Sequence, residues 1–212
     1  MPIKHKQVTR AALKKGVAAL AQRDADLARI VSEYGAPPLW QRDQGFPTLI
    51  HIILEQQVSL ASARAAFGRL QTLVDTLTPE KFLELSDTQL RLAGFSRQKT
   101  RYGRALANAV TDGHLDLAAL DSLTDEKARE QLTEIKGIGS WTADIYLLMA
   151  LRRPDVWPSG DLALEIAMQR IRGWPRRPTP AEARQTSEQW RPWRAIAARL
   201  LWQFYLQAPK RD

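Results

Sequence analysis

Cysteine is absent from this sequence of 212 residues. The chain therefore has no disulfide framework, no thiolate-held iron–sulfur cluster, no cysteine zinc site and no thiol nucleophile. Histidine is scarce, and His5, His51 and His114 are too scattered to show a metal-ligand spacing, so we predict no such metal site. Long apolar runs are also missing, and the basic first residues lack the apolar segment of a signal peptide. We expect a cytoplasmic, nucleoid-associated protein without a membrane span.

Positive charge is in excess. Lys and Arg number 31 against 23 Asp and Glu, which gives a formal net charge of +8. Much of the excess is arginine, as in RGWPRRP at residues 172–178. Such a surface predicts a polyanionic partner such as nucleic acid, while a basic surface that serves only solubility is the alternative.

Apolar residues recur at helical spacing along most of the chain, and the alternation typical of strands is nearly absent. We therefore predict an all-α fold. Thr78, Ser86 and Thr124 stand at predicted helix starts. The predicted helices are 8–22, 24–34, 45–73, 79–85, 87–93, 97–112, 124–135, 140–151, 161–172, 180–189 and 192–207.

The stretch TEIKGIGSWTADIY at residues 133–146 places two glycines between two predicted helices. The connection KGIG is short enough to predict a tight hairpin. Gly137 and Gly139 can take positive φ, and without Cβ atoms they let an outside group approach the backbone. The second helix begins beside them, so its free N–H groups suit a phosphate. A plain helix–helix turn with glycine at the C-cap is the alternative.

The longer string LTEIKGIGSWTADIYLLMAL, residues 132–151, resembles the helix-hairpin-helix (HhH-GPD) of the DNA glycosylase superfamily. Lys136 stands where many members have proline. The resemblance implies that Lys136, Gly137, Ile138, Gly139 and Thr142 bind the DNA backbone. It also allows a structural Na⁺ or K⁺ at the backbone carbonyls near Ile135 and Ile138, with no other cofactor. The matching residues are Leu132, Ile135, Gly137, Ile138, Gly139, Thr142 and Ala143.

The resemblance extends over roughly residues 45–207. It implies that residues 1–212 form a single compact glycosylase unit of two helical subdomains with a DNA-binding cleft between them. We place these subdomains at 37–112 and at 1–36 plus 113–212, with the hairpin motif at 124–151. A monomer is the expected state.

Asp161 lies 22 residues after Gly139, where the family has its catalytic aspartate, and a predicted helix follows it. Breaking an N-glycosidic bond builds positive charge on the sugar, so a fixed anion beside C1′ stabilises the transition state. A simple N-cap is the alternative. By composition Asp144, Asp155 and Glu165 are rivals, and we interpret all three as solvated or supporting.

Trp141 occupies the position at which some members carry a Schiff-base lysine. An indole cannot form an imine, so the resemblance implies a monofunctional enzyme that leaves an abasic site. The branch similar to bacterial DNA-3-methyladenine glycosylase II carries tryptophan there. By this resemblance Trp141, Trp202, Trp40 and Gln56 line a base pocket, and Gln57 is the wedge, where the best-known bacterial relative has leucine.

The resemblance thus implies an enzyme of base excision repair that releases 3-methyladenine and 7-methylguanine from double-stranded DNA. These bases are cationic and suit an electron-rich indole face. Two alternatives stay open. One is a glycosylase of the same fold for hypoxanthine, ethenoadenine or a deaminated base, and the other is a non-catalytic hairpin protein that binds DNA.

Overall fold

The computed structural model describes residues 7–209, and the regular secondary structure of this part of the chain is all helical, without a strand. The predicted all-α class is confirmed. None of these helices is long and apolar enough to cross a bilayer. Short 3₁₀ turns lie at Ala119–Ser122 and Glu188–Trp190. The helices are α1 (Arg10–Arg23), α2 (Ala25–Tyr34), α3 (Phe46–Glu55), α4 (Leu60–Gln71), α5 (Pro79–Glu84), α6 (Asp87–Ala93), α7 (Arg97–Thr111), α8 (Asp125–Thr133), α9 (Ser140–Met149), α10 (Leu162–Arg172), α11 (Pro180–Ser187) and α12 (Arg194–Gln207).

The predicted start signals are helix caps. The side chains of Thr78, Ser86 and Thr124 each accept an N–H of the first turn that follows. Ser86 also forms a reciprocal capping box with Gln89. These bonds satisfy N–H groups that have no partner inside the helix, and they explain why α5, α6 and α8 begin where the sequence indicated.

The prediction of one continuous helix over 45–73 was wrong. α3 ends at Glu55 and α4 begins at Leu60. Gln57 between them has φ 56°, which is left-handed and incompatible with a continuing right-handed helix. Ser59 then caps α4 by accepting the N–H of Ser62 at 3.2 Å. The break leaves a short turn, residues 56–59, that we call the Gln57 turn.

Two helical units make up the described chain. The first is Arg42–Ala150, and the second combines residues 7–41 with 151–209. This division differs from the predicted subdomains, because residues 113–150 pack with the first unit. Tyr146 of α9 explains part of the difference, since its hydroxyl accepts the Gly45 N–H at 2.8 Å. The terminal residues 1–6 and 210–212 of the predicted unit lie outside the described range.

In the first unit α3 forms the centre. Leu49, Ile50, Ile52 and Ile53 are fully buried, and α3 packs against α4, α7 and α9. Apolar residues therefore cover most of the circumference of α3, which is typical of a helix buried on all sides. This packing brings the end of α3 beside the helices of the hairpin.

In the second unit α12 is the central helix and packs against α1, α2 and α10. Arg199 is fully buried on it and donates to the backbone carbonyls of Leu39 and Ala195 at 2.8 and 2.9 Å. Burial lowers the pKa of this guanidinium to about 10. The bond to Leu39 holds the segment that carries Trp40, whose φ is 45°.

Candidate functional site

The hairpin between α8 and α9 has the tight geometry that the sequence indicated. The N–H of Ile138 donates to the carbonyl of Ile135 at 2.9 Å and closes the turn. Ile138 is buried, whereas Lys136 and Gly139 on either side are exposed. The turn is therefore anchored by one buried apolar side chain, with exposed residues on both sides of it.

The two glycines of the hairpin serve different purposes. Gly137 has φ 95°, and a Cβ there would lie 2.0 Å from the ring of Tyr102, so both conformation and space require glycine. Gly139 has φ −86°, which any residue adopts, and a Cβ there would meet no atom within 4 Å. Neither strain nor packing within the described chain demands glycine at 139, so the absent side chain leaves room for something outside it.

The N-terminus of α9 can bind an anion. Gly139 is its N-cap and offers no side chain to the first N–H groups. The backbone dipoles of a helix add partial positive charge at this end, and phosphate groups bind there readily. Lys136 and Ser140 are both exposed beside it, so a cation and a hydroxyl are available to the same anion.

Gln56 binds the hairpin through its side-chain amide. Its Nε2 donates to the carbonyl of Gly137 at 2.9 Å and to Oγ1 of Thr142 at 3.0 Å. Sequence reasoning assigned Gln56 to a base pocket, but both of its N–H donors point to the hairpin. Thr142 is buried, so its hydroxyl is not exposed to an outside ligand.

Gln57, the predicted wedge, is exposed in its left-handed turn. Residues that are not glycine occupy this conformation rarely, and such residues cluster at functional sites. Two apolar side chains nearby, Val58 and Leu60, are also exposed. The Gln57 turn therefore presents an amide flanked by apolar surface, which suits contact with stacked bases.

Asp161 is the N-cap of α10, and hydrogen bonds hold its carboxylate. Its Oδ1 accepts the backbone N–H of Leu164 at 3.0 Å and the indole N–H of Trp202 at 3.1 Å. The residue is only 8% exposed. Two hydrogen bonds and burial orient the carboxylate at the N-terminal end of α10.

Trp202 therefore has a role that sequence reasoning missed. It was predicted to line a pocket, and in the structure its indole is largely buried on α12 and donates to Asp161. Asp161 and Trp202 are 41 residues apart, and their contact depends on how α10 packs against α12. No local sequence pattern signals such a bond.

The rival carboxylates support the structure around them. Buried Asp144 accepts from Nε of Arg129 at 2.7 Å. Asp155 pairs with Arg191 and Arg194 at 2.7 and 2.9 Å. These arginines compensate the charge of the two aspartates. The supporting role that we expected fits both of them, although Asp144 is not solvated.

Glu165, one turn after Asp161, is also buried rather than solvated. Burial raises its pKa, the nearby Arg177 lowers it, and Asp161 raises it further. Its Oε2 lies 3.5 Å from Nε of Arg177, whereas its buried Oε1 has no hydrogen-bond partner. Glu165 thus places a poorly satisfied carboxyl group near the candidate catalytic aspartate.

The two remaining tryptophans of the predicted pocket are partly exposed. Trp40 belongs to the same unit as Asp161, and Trp141 stands in the first turn of α9 in the other unit. Ile145, one turn after Trp141, is buried. The structure therefore leaves indole surface available at both tryptophans.

The chain is similar in sequence to known DNA repair proteins. The profile of the HhH-GPD superfamily base excision DNA repair protein family matches residues 50–192. The chain is 29% identical over 180 residues to DNA-3-methyladenine glycosylase 1 of Schizosaccharomyces pombe, covering 83% of this chain and 79% of that one. It is 29% identical over 164 residues to DNA-3-methyladenine glycosylase 2 of Escherichia coli, covering 72% of this chain and 55% of that protein.

A solved structure shares the fold. The S. pombe 3-methyladenine DNA glycosylase Mag1, determined in complex with abasic DNA, superposes with a TM-score of 0.86 at 28% identity. The match covers 93% of this chain and 100% of that one. Two thirds of the present chain thus falls within the family profile, and nearly all of it within the fold.

Proposed function

This chain belongs to the HhH-GPD superfamily of base excision DNA repair proteins, and we propose that it is a monofunctional DNA glycosylase for alkylated purines. It would hydrolyse the N-glycosidic bond of 3-methyladenine or 7-methylguanine flipped from duplex DNA and leave an abasic site. The names of the two curated relatives support this substrate class. The observation that carries the proposal is the buried, doubly hydrogen-bonded carboxylate of Asp161.

The catalytic role of Asp161 follows from the charge that develops during the reaction. As the bond to the base breaks, the sugar becomes an oxocarbenium-like cation. A carboxylate already held by Leu164 and Trp202 needs no reorganisation to stabilise that cation. Its second role is to orient the water that attacks C1′. Together these functions require a fixed anion rather than a mobile surface carboxylate.

The hairpin supports binding of the DNA backbone. The open position of Gly139 lets a phosphate approach the N–H groups of the first turn of α9. Lys136 adds a positive charge that is exposed beside it. The related protein Mag1 was solved in complex with abasic DNA, and this is consistent with a role of the hairpin in DNA binding.

We include a Na⁺ or K⁺ ion at the hairpin in the proposal. The carbonyl oxygen of Ile135 accepts the N–H of Ile138 and has a second lone pair for a cation. The carbonyl oxygen of Ile138 can also offer a lone pair to the cation. Such an ion would add positive charge next to a bound phosphate. Measuring DNA affinity in NaCl, KCl and tetramethylammonium chloride at equal ionic strength tests this part.

The chemistry of the Trp141 indole is the basis for two parts of the proposal, the substrate class and the absence of strand cleavage. An indole cannot form an imine with the sugar, so no lyase step is expected. A partly exposed indole face attracts a cationic purine. The alkylated base leaves as a neutral molecule, and so it needs no general acid. We further propose that the enzyme works as a monomer.

A glycosylase of the same fold for another lesion is the second candidate, because the shape of the base pocket decides which base fits. A binding protein without activity is the third. It would use the hairpin but has no use for a buried carboxylate at the family position after Gly139. The identity of the released base separates the first two candidates, and the absence of release separates the third.

The test is to incubate the purified protein with randomly methylated DNA and to identify the freed bases by chromatography. Release of 3-methyladenine or 7-methylguanine supports the proposal. If neither is released, duplexes with single hypoxanthine, ethenoadenine or uracil lesions test the second candidate. DNA binding without release from any of these substrates would contradict a glycosylase function.

A further inference from the structure

Three side-chain bonds fix the end of α3 and the Gln57 turn that follows it. Two come from Gln56, whose amide donates to Gly137 O at 2.9 Å and to Thr142 Oγ1 at 3.0 Å. The third comes from Lys99 of α7, whose Nζ donates to the carbonyl of Leu54 at 2.7 Å. A cation at the C-terminal end of a helix also interacts favourably with the helix dipole.

The direction of the Gln56 amide is determined by its partners. A backbone carbonyl can only accept, so the atom that faces Gly137 O must be the NH₂ group. The same NH₂ group supplies the second N–H to Thr142. Both donors of Gln56 are therefore engaged by the hairpin, and neither is available to a base.

The Gln57 turn needs such an anchor because its conformation is strained. Gln57 has φ 56° and is exposed, so its own side chain contributes no packing that would hold it there. A residue in this region persists only where its surroundings determine the backbone. Gln56 precedes Gln57 directly, and the two bonds of its side-chain amide tie the start of the turn to the hairpin.

We propose that Gln56 is a positioning residue that fastens the Gln57 turn to the hairpin, so that backbone binding and filling of the vacated base position act as one unit. This inference rests on the proposed function, because it assigns the Gln57 side chain to the space left by the flipped base. It replaces the pocket role that the sequence suggested for Gln56. The hairpin would set the depth and direction in which Gln57 enters the duplex.

The test uses a signal that does not depend on base release. A duplex carries a tetrahydrofuran abasic analogue, with 2-aminopurine in the opposite strand facing it. Entry of Gln57 changes the stacking, and hence the fluorescence, of 2-aminopurine.

Wild type, Gln57→Ala and Gln56→Met are compared at saturating protein, and affinity is measured for each. Methionine keeps the length of glutamine without its hydrogen bonds or any new charge. Gln71→Met, at the exposed end of α4, is the matched control.

We expect Gln56→Met to lose most of the fluorescence change, as Gln57→Ala does, while its affinity for the analogue falls by no more than about fivefold. Thr142→Val, which removes only one acceptor, should lose part of the signal, and Gln71→Met should match wild type. In single-turnover excision the losses of Gln56→Met and Gln57→Ala should not add in the double variant, because both act through the same side chain.

A wild-type signal from Gln56→Met, or from Gln57→Ala, would overturn the inference. Equal loss of excision by Gln56→Met on a paired duplex and on a bulged, already unstacked lesion would overturn it as well, because that result indicates a role in the base pocket. If the wild-type protein releases no base, that result contradicts the proposed function and not the role of Gln56. The fluorescence comparison on the abasic analogue does not require base release, so it tests the role of Gln56 separately.

Discussion

The indole N–H of Trp202 donates to Oδ1 of Asp161 at 3.1 Å. The same unit contains a second pair of this kind, in which Trp190 donates to Asp24 at 2.9 Å. Both aspartates are N-caps, of α10 and α2 respectively. Asp24 is also ion-paired with Arg172 at 2.7 Å, which identifies it as a structural carboxylate. The fold thus offers a natural control for the role of Trp202.

Trp202→Phe removes the donor to Asp161 and keeps an aromatic ring in its place. A hydrogen bond to a charged group contributes about 1.5–3 kcal/mol, so we predict that single-turnover excision slows about tenfold or more. Affinity for DNA should change little. Trp190→Phe should lower the melting temperature and leave the excision rate near that of wild type. Similar rates for the two variants would contradict the positioning role of Trp202.

Alanine at the two hairpin glycines should affect different properties of the protein. Gly137→Ala forces a Cβ into the left-handed region and against Tyr102, so we predict a loss of stability of more than about 2 kcal/mol. Gly139→Ala should cost less than about 1 kcal/mol, because its φ is ordinary and the space is open. DNA affinity of Gly139→Ala should nevertheless fall, because the methyl group occupies the approach of the phosphate. Denaturant unfolding and fluorescence anisotropy measure the two effects, and unchanged affinity would argue against this contact.

Glu165→Gln should stabilise the protein near neutral pH. Burial raises the pKa of Glu165 in the folded state above its ordinary value of 4.5. At pH values between 4.5 and this raised pKa, the folded state binds more protons than the unfolded state. The contribution of Glu165 to stability therefore falls as the pH rises from about 4.5 through the raised pKa. At pH values above the raised pKa, the protein remains less stable because of this group. The glutamine variant does not titrate.

We therefore expect Glu165→Gln to melt at a higher temperature than wild type at pH 7, and the difference should shrink as the pH approaches 4. Thermal unfolding at several pH values measures it. A gain that does not depend on pH would show that ionisation of Glu165 is not its cause.

Sodium borohydride should trap no covalent adduct between the protein and lesion DNA. Trp141 stands at the family's lysine position and cannot form the imine that borohydride reduces. Denaturing electrophoresis after incubation with borohydride measures this, with a lysine-bearing bifunctional glycosylase as the positive control. A retarded protein–DNA band would refute the monofunctional assignment.

Much of the fold could be predicted because the information is local. Apolar periodicity and caps such as Ser86 and Thr124 marked the helices, and the string around Gly137 and Gly139 identified the family, which the profile match confirmed. Asp161 was predicted as the catalytic residue from its spacing from this motif. All of these are properties of neighbouring residues or of fixed distances along the chain.

The remainder depends on tertiary contacts. No glycine or proline marks the helix break at Gln57 in the sequence. The turn is stabilised by hydrogen bonds that Gln56 and Lys99 make to other parts of the fold. The bond from Trp202 to Asp161 requires that α10 and α12 pack in one particular register. The boundary between the units was misplaced for the same reason, because Tyr146 binds Gly45 across 101 residues of sequence.

Asp161→Asn tests whether the Asp161 carboxylate drives base release. Asparagine caps helices as well as aspartate, and its Oδ1 can accept both N–H groups that Asp161 now binds, so the variant should fold normally. The measurement is single-turnover excision from methylated DNA together with affinity for an abasic analogue. We predict that excision falls by at least about a hundredfold while affinity stays within about threefold. Retained excision by the Asp161→Asn variant would contradict it.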